Sequence, residues 1–183
     1  MITEFSGNNI LIRKIALSDA REIYENLKDK NVTRLMRMDI PNGYNISHAK
    51  KFISQFLKEF SVGKGYAFAI VLINSNKLIG VIDFFKVNKD TKKAELRYWI
   101  GKKYWGSGYT QQAVKLILKF GFNELKLHRI SASHFQENES SGKVLLKTGF
   151  QLEGIMRDSV LKNGKWHNSV QYSILEQDYK KFI

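Results

Sequence analysis

The chain switches between two hydrophobic periodicities, and the switch falls near its middle. Ile10 to Ile15 interleaves apolar and polar positions at a spacing of two, as an edge or first strand does. The spacing then lengthens. Ala20, Ile23, Tyr24 and Leu27 share one helical face, with Ser18 placed to cap it. Residues 29–45 lose the pattern around Pro41 and Gly43 and read as irregular or briefly helical. Beyond a second cap at Ser47, the residues Phe52, Ile53, Phe56, Leu57 and Phe60 form the stripe of another helix.

Strands dominate from Tyr66 onward. Tyr66–Ile73 and Leu78–Phe85 flank the turn-forming stretch Asn74 to Lys77, and Lys89 to Lys92 turns into a strand from Ala94 to Ile100. A helix follows from Tyr109 to Phe122. Its polar positions reduce to a strip holding Lys115 and Lys119, so most of its sides are expected to be buried. Arg129–Phe135 is a strand and Glu139–Lys147 a helix, with Asn138 as its cap and Gly149 as a left-handed stop before Phe150. Leu152–Leu161 and Trp166–Ile174 close on Asn163-Gly164, the strongest short hairpin signal. The order β-α-α-β-β-β-α-β-α-β-β predicts a mixed α/β (α+β) fold of about seven strands with helices on the faces of the sheet.

Composition narrows the classes. With 183 residues, 43% hydrophobic and 26% charged, the chain reads as one domain over residues 1–183 with ample core-forming material. It contains no cysteine, which excludes disulfide and thiolate chemistry and fits a reducing compartment. No apolar run is long enough to span a bilayer and no secretory signal is visible, so a cytoplasmic protein with no membrane partner is expected. The formal charge of +13 is spread from Lys14 to Lys181 without a basic block. That favours a general basic surface, suited to a phosphorylated ligand, over a specific nucleic-acid site. His48, His128 and His134 lack the spacing of a metal cluster, and no metal site is expected.

The chemistry concentrates between Leu96 and Tyr109. An apolar strand ends in a loop holding Gly106 and Gly108, and the loop opens directly into a helix. The first amides of a helix lack intrahelical partners and carry the positive end of its dipole, so this junction is a place for a phosphate.

Three features in order resemble the GCN5-related N-acetyltransferase (GNAT) family, and within it the ribosomal-protein N-acetyltransferase (RimJ/RimL-like) branch. They are the loop Lys103-Tyr104-Trp105-Gly106-Ser107-Gly108, the strand Ala94-Glu95-Leu96-Arg97-Tyr98-Trp99-Ile100, and Asn138-x-x-Ser141 followed by Val144-Leu145-x-Lys147-x-Gly149-Phe150. The resemblance implies a mostly antiparallel, twisted sheet splayed in its middle and a reaction with acetyl-CoA as acetyl donor. It places the pyrophosphate on residues 103–109, with Tyr109 and Thr110 continuing the first helical turn, and the pantetheine arm along Trp99 and Ile100. Asn138 then holds the arm or orders its own loop. Ser141 lies by the thioester sulfur and protonates the leaving thiolate or stabilises it through a hydrogen bond. Glu95 is the candidate base, acting through water, unless it merely pairs with Lys93 or Arg97.

The sequence departs from the family pattern at Lys103, where a forked donor is usual, at Arg97, where a small residue is usual, and at Gln111-Gln112. Trp105, Tyr98 and Trp99 read as core or cofactor-packing residues, and Trp166 and His167 as strand packing, with a place facing the acceptor site as the alternative.

The expected acceptor is an amine-bearing protein N-terminus, by branch resemblance alone. A small amine (polyamine, amino acid or amine antibiotic) is the alternative, disfavoured for polyamines by 17 acidic against 30 basic residues. A basic RNA- or ribosome-binding module that keeps acetyl-CoA without catalysis is a third reading. The residues that choose the acceptor are expected in 29–64 and 157–168. The chain is expected to be a monomer or homodimer.

Overall fold

The structure is a computed structural model and describes residues 4–182. One sheet of eight strands runs through it in the order β1-β2-β3-β4-β5-β6-β8-β7. The strands are β1 (Glu4–Ser6), β2 (Ile10–Lys14), β3 (Tyr66–Leu72), β4 (Lys77–Asn88), β5 (Lys93–Ile100), β6 (Arg129–Phe135), β7 (Gln151–Lys162) and β8 (Lys165–Leu175). Every neighbouring pair is antiparallel except β5 and β6. The eighth strand is β1, which pairs outside β2, so Ile10–Lys14 is not at the edge. Three residues are too few to show a period of two.

The helices are α1 (Ala20–Leu27), α2 (Lys30–Thr33), α3 (Ile46–Ser61), α4 (Tyr109–Lys119), α5 (Glu139–Leu146) and α6 (Glu176–Phe182). Two expected caps move. Ser18 lies inside a 3-10 turn, Leu17–Asp19, and the Asp19 carboxylate takes the Ala16 N–H at 2.8 Å while pairing with Arg13 at 2.7 Å. Asn45, not Ser47, caps α3, accepting the amides of Ser47 and His48 at 3.0 and 3.2 Å. Asparagine accepts first-turn amides at least as well as serine, so α3 starts two residues before the expected cap, whereas the Asp19 side chain caps no amide of α1. The helix expected from Tyr109 to Phe122 is α-helical only to Lys119. It continues as a π turn over Phe120–Glu124, where the Leu125 N–H reaches Phe120 O at 3.1 Å.

Each face of the sheet carries its own core. Phe68, Ile82, Phe84 and Leu96 pack with Ile117 and Phe120 on the side of α4, with Leu145 of α5 and Tyr179 of α6. Ala69, Val71 and Val81 pack with Ile23, Leu27 and Ile53 on the side of α1 and α3. The β7–β8 turn has φ of 49° at Asn163 and 74° at Gly164, the two left-handed positions that Asn-Gly adopts.

The feature that positions the site is the parting of β5 from β6. These strands pair from Lys93 with Arg129 to Leu96 with Ala132, and no further. On its other edge β5 stays paired with β4 as far as Ile100 opposite Gly80. The β6-facing edge of Arg97 to Ile100 is therefore left without a strand partner. Gly80 holds the opposite edge close: a Cβ there would stand 2.3 Å from Trp99 O and 3.0 Å from Ile100 Cα. Gly80→Ala is expected to push β4 off β5 and cost roughly 1–3 kcal/mol. Thermal unfolding checks this; an unchanged melting temperature would show that the strands separate freely here.

Candidate active site

The loop after β5 is built to leave a helix end bare. The Gly101 N–H bonds to Ile79 O at 2.8 Å, and a 3-10 turn over Lys102–Tyr104 follows. The Trp105 indole N–H donates to Ile100 O at 2.9 Å, folding the loop back over the strand end while 41% of the residue stays exposed. Gly106 and Gly108 have φ of 78° and 74°, a region costly for a side-chain-bearing residue, and a Cβ at either would meet nothing within 4 Å. The loop surface above them is open. No side chain caps α4, and its first intrahelical bond is from the Gln112 N–H to Gly108 O at 3.1 Å. The amides of Tyr109 and Thr110 precede that bond and stand at the positive end of the helix dipole. Lys103 and Ser107 flank the opening, with Lys103 Nζ resting 4.9 Å from the centre of the Tyr104 ring.

At the other end of the parted edge stands α5. Asn138 is its cap residue by position, but its side chain caps no amide and instead accepts from Ser140 Oγ at 2.8 Å. The backbone of Asn138 closes the turn, its N–H on Phe135 O at 2.8 Å and its carbonyl accepting the Ser141 N–H at 3.1 Å. These backbone bonds order the loop at the start of α5. Ser141 Oγ lies 2.7 Å from the Tyr98 hydroxyl, which also donates to Ser141 O at 3.2 Å. Burial pushes the Tyr98 hydroxyl well above its ordinary pKa, with the Ser141 contact opposing, so the phenol stays protonated.

Alternation along β5 sends Tyr98 to the α4–α5 face and Trp99, with Arg97 and Glu95, to the α1–α3 face. The two candidate catalytic residues therefore approach the parted edge from opposite sides. Glu95 pairs with neither Lys93 nor Arg97 but with Lys86 on β4 at 3.0 Å. It stands where β5 and β6 are still joined, opposite Ser131. Arg97, the first residue of β5 beyond the β6 pairing, bonds the Asp83 carboxylate at 2.6 and 3.1 Å and lies 3.8 Å from the centre of the Phe85 ring. Burial raises the Asp83 pKa, and the charge and hydrogen bond of Arg97 oppose it. Arg37 donates to Ser133 Oγ on β6; burial lowers its pKa and the nearby charge of Glu95 opposes.

Lys162 Nζ donates to Thr33 O at 2.7 Å and to Met36 O, tying residues 33–36 to the β7–β8 hairpin. The two segments expected to choose the acceptor are thus joined in space. His167 packs on Phe135 and contacts Glu137 at 2.6 Å, whereas Trp166 is 55% exposed rather than packed into the strand.

Asp83, Arg37, Ser133 and the Tyr98–Ser141 contact are not found by sequence reasoning. Asp83 alone leaves a local signal, an acid inside the apolar strand Leu78–Phe85. Among the described residues no group of three or more His, Asp or Glu side chains is arranged to hold a metal ion, and no helix is long and apolar enough to cross a membrane.

Comparison with known proteins identifies the family and the fold. The family model of the acetyltransferase (GNAT) domain matches residues 9–151. The uncharacterized N-acetyltransferase YoaA of Bacillus subtilis is 30% identical over 169 residues, 92% of this chain and 94% of its own. The [ribosomal protein uS5]-alanine N-acetyltransferase of Escherichia coli is 29% identical over 128 residues, 69% of this chain and 64% of its own. A spermidine N(1)-acetyltransferase of the same organism is 28% identical over 100 residues, 55% and 54% of the two chains. Among solved structures, the microcin C7 self-immunity acetyltransferase MccE, in complex with acetyl-CoA and AMP, superposes with a TM-score of 0.83 at 25% identity over 92% of this chain and 93% of that one. With a domain match spanning most of its length and a parted strand pair ending at a bare helix terminus, the chain belongs to the GNAT acetyltransferase family and is an N-acetyltransferase.

Proposed function

We propose that the protein transfers an acetyl group from acetyl-CoA to the α-amine at a protein N-terminus. Acetyl-CoA supplies the acetyl group as an already activated thioester. The fit rests on this chain's own geometry. The amides at the start of α4 and the exposed loop 103–108 receive the pyrophosphate, and the unpaired edge of Arg97–Ile100 offers backbone groups to the pantetheine amides much as another strand does. MccE, seen with acetyl-CoA, has the same fold.

The faces of β5 divide the labour. Ser141 serves the sulfur from the α4–α5 side. The amine enters from the α1–α3 side, where Glu95 reaches it through water because it sits below the parting of the strands. An ammonium cannot attack, so Glu95 and water take its proton; the new N–C bond replaces the C–S bond, the electron pair stays on sulfur, and the nitrogen sheds its second proton through water to the thiolate, leaving an amide and CoA thiol. Backbone N–H groups of the parted edge hydrogen-bond the carbonyl oxygen as it gains charge.

One observation carries the choice of acceptor: Arg37, Lys86 and Arg97 stand on the amine side beside Glu95 and Asp83. Lys58, Lys64 and Glu59 line the same face, so five cations stand against three carboxylates, a poor bed for a polyamine, which gains affinity from an excess of negative charge. A peptide brings one amine and neutral carbonyls that arginines can hold. The spermidine-acetylating relative supports the rival reading, a small amine. Mass spectrometry of a peptide mixture incubated with enzyme and acetyl-CoA separates them. Acetylation of α-amines is expected; modification of free polyamine with untouched peptides contradicts the proposal.

Glu95→Gln is expected to lower kcat/KM by about tenfold near pH 7, a modest general-base effect, with the loss shrinking toward alkaline pH. The sign follows from the amine, which deprotonates unaided as the pH rises. A pH–rate profile checks this; a loss uniform across pH would remove Glu95 from the proton path.

A further inference from the structure

We infer that Tyr98 is a positioning residue for the thiol side, holding Ser141 so that the serine proton points into the space between β5 and β6. The inference rests on the acetyl-transfer reading above. Its basis is the contact between residues 43 apart in sequence, Tyr98 Oη to Ser141 Oγ at 2.7 Å, with Ser141 O a further 3.2 Å acceptor.

A serine hydroxyl has one proton and a free rotor, and in a first helical turn it readily spends that proton on a nearby oxygen. Ser140 does so, donating to Asn138 Oδ1 at 2.8 Å. Ser141 is held differently. The Tyr98–Ser141 pair has two proton arrangements on the same heavy atoms. In one, Tyr98 donates to Ser141 O and Ser141 donates to Tyr98, so both protons are used within the pair. In the other, Tyr98 donates to Ser141 Oγ, and the serine proton is released toward an acceptor in the parted strands. Negative charge gathering on a sulfur there selects the second arrangement. Each proton stays on its own oxygen throughout; the exchange is of hydrogen bonds, by rotation of two hydroxyls.

The heavy atoms that frame the pair are set independently of it. A Cβ at Gly142 would stand 2.8 Å from both His134 Nε2 and the Tyr172 hydroxyl, so the turn of α5 that carries Ser141 is seated directly on β6 and β8. Removing the Tyr98 hydroxyl therefore leaves α5 in place and changes only which way Ser141 donates.

The test compares the wild-type enzyme with Tyr98→Phe, Ser141→Ala and the double variant, following release of free CoA thiol. Tyr98→Phe is expected to lower kcat about fivefold to tenfold with KM for acetyl-CoA within about twofold, and to add nothing in the Ser141→Ala background. If Ser141→Ala is impaired and Tyr98→Phe is not, the Tyr98 inference is wrong while the acetyl-transfer reading stands. If Tyr98→Phe costs as much without Ser141 as with it, Tyr98 acts by another route and the inference is equally overturned. If neither single variant differs from wild type, the role of Ser141 falls too. Placing 3,5-difluorotyrosine at 98 keeps the shape but acidifies the phenol, and covers the case of a Phe variant that does not fold. The alkaline limit of kcat is then expected at lower pH than for the wild type, and an unmoved limit contradicts the inference.

Discussion

Gly108→Asp is expected to weaken acetyl-CoA binding by at least about 100-fold, close to 3 kcal/mol. A left-handed φ of 74° strains any residue with a Cβ by about 1–2 kcal/mol, a cost to the fold of the loop in free and bound protein alike. The carboxylate also stands where the bare amides of α4 are open, repelling the pyrophosphate. The left-handed backbone at Gly108 is not the extended one from which an Asp caps a helix, so stability is expected to fall by the strain and affinity by the charge. Gly108→Ala separates the parts, carrying the strain without the charge and losing less. Calorimetric titration of both variants with acetyl-CoA checks this. Full affinity in Gly108→Asp would move the phosphates away from the start of α4.

The second large effect is on turnover. Ser141→Ala is expected to lower kcat by about 10- to 100-fold, at or below the low end of general-acid effects because a thiolate leaves readily unaided, with acetyl-CoA affinity within about twofold. The substitution keeps the backbone bonds that seat the first turn of α5, including the Ser141 N–H to Asn138 O at 3.1 Å. A parallel loss of affinity and turnover would instead make Ser141 part of the cofactor bed. Steady-state kinetics with acetyl-CoA varied at saturating amine distinguishes the two.

Local pattern carried much of this arrangement. Strand, loop and helix from Ala94 to Lys119 are contiguous, so periodicity and two glycines mark the whole junction before any tertiary contact is known. The helix starts lie one or two residues from the expected caps: a 3-10 turn carries Ser18 into helical structure, and Asn45 caps α3 two residues before Ser47. Side-chain pairing across the sheet was not legible. Glu95 meets Lys86 and Arg97 meets Asp83 because of the β4–β5 register, which shifts between Phe85 and Asn88 where Lys86 takes a φ of 50°. No spacing rule forecasts such a bulge. The contacts of Arg37 with Ser133, Lys162 with Thr33 and Tyr98 with Ser141 join distant segments and leave no trace in any local window. Asn138 shows the reverse: the position was right and the bond was not, because its side chain turns to Ser140 rather than to the helix amides.

The central claim is that this site moves an acetyl group from acetyl-CoA to a peptide α-amine across the parted β5–β6 edge. Release of free CoA thiol, followed with a panel of unblocked peptides, the same peptides blocked at the N-terminus, and spermidine, tests it most directly. Thiol release is predicted with the unblocked peptides and near background with the blocked peptides and with spermidine. Release driven by spermidine, with the unblocked peptides at background, would contradict it.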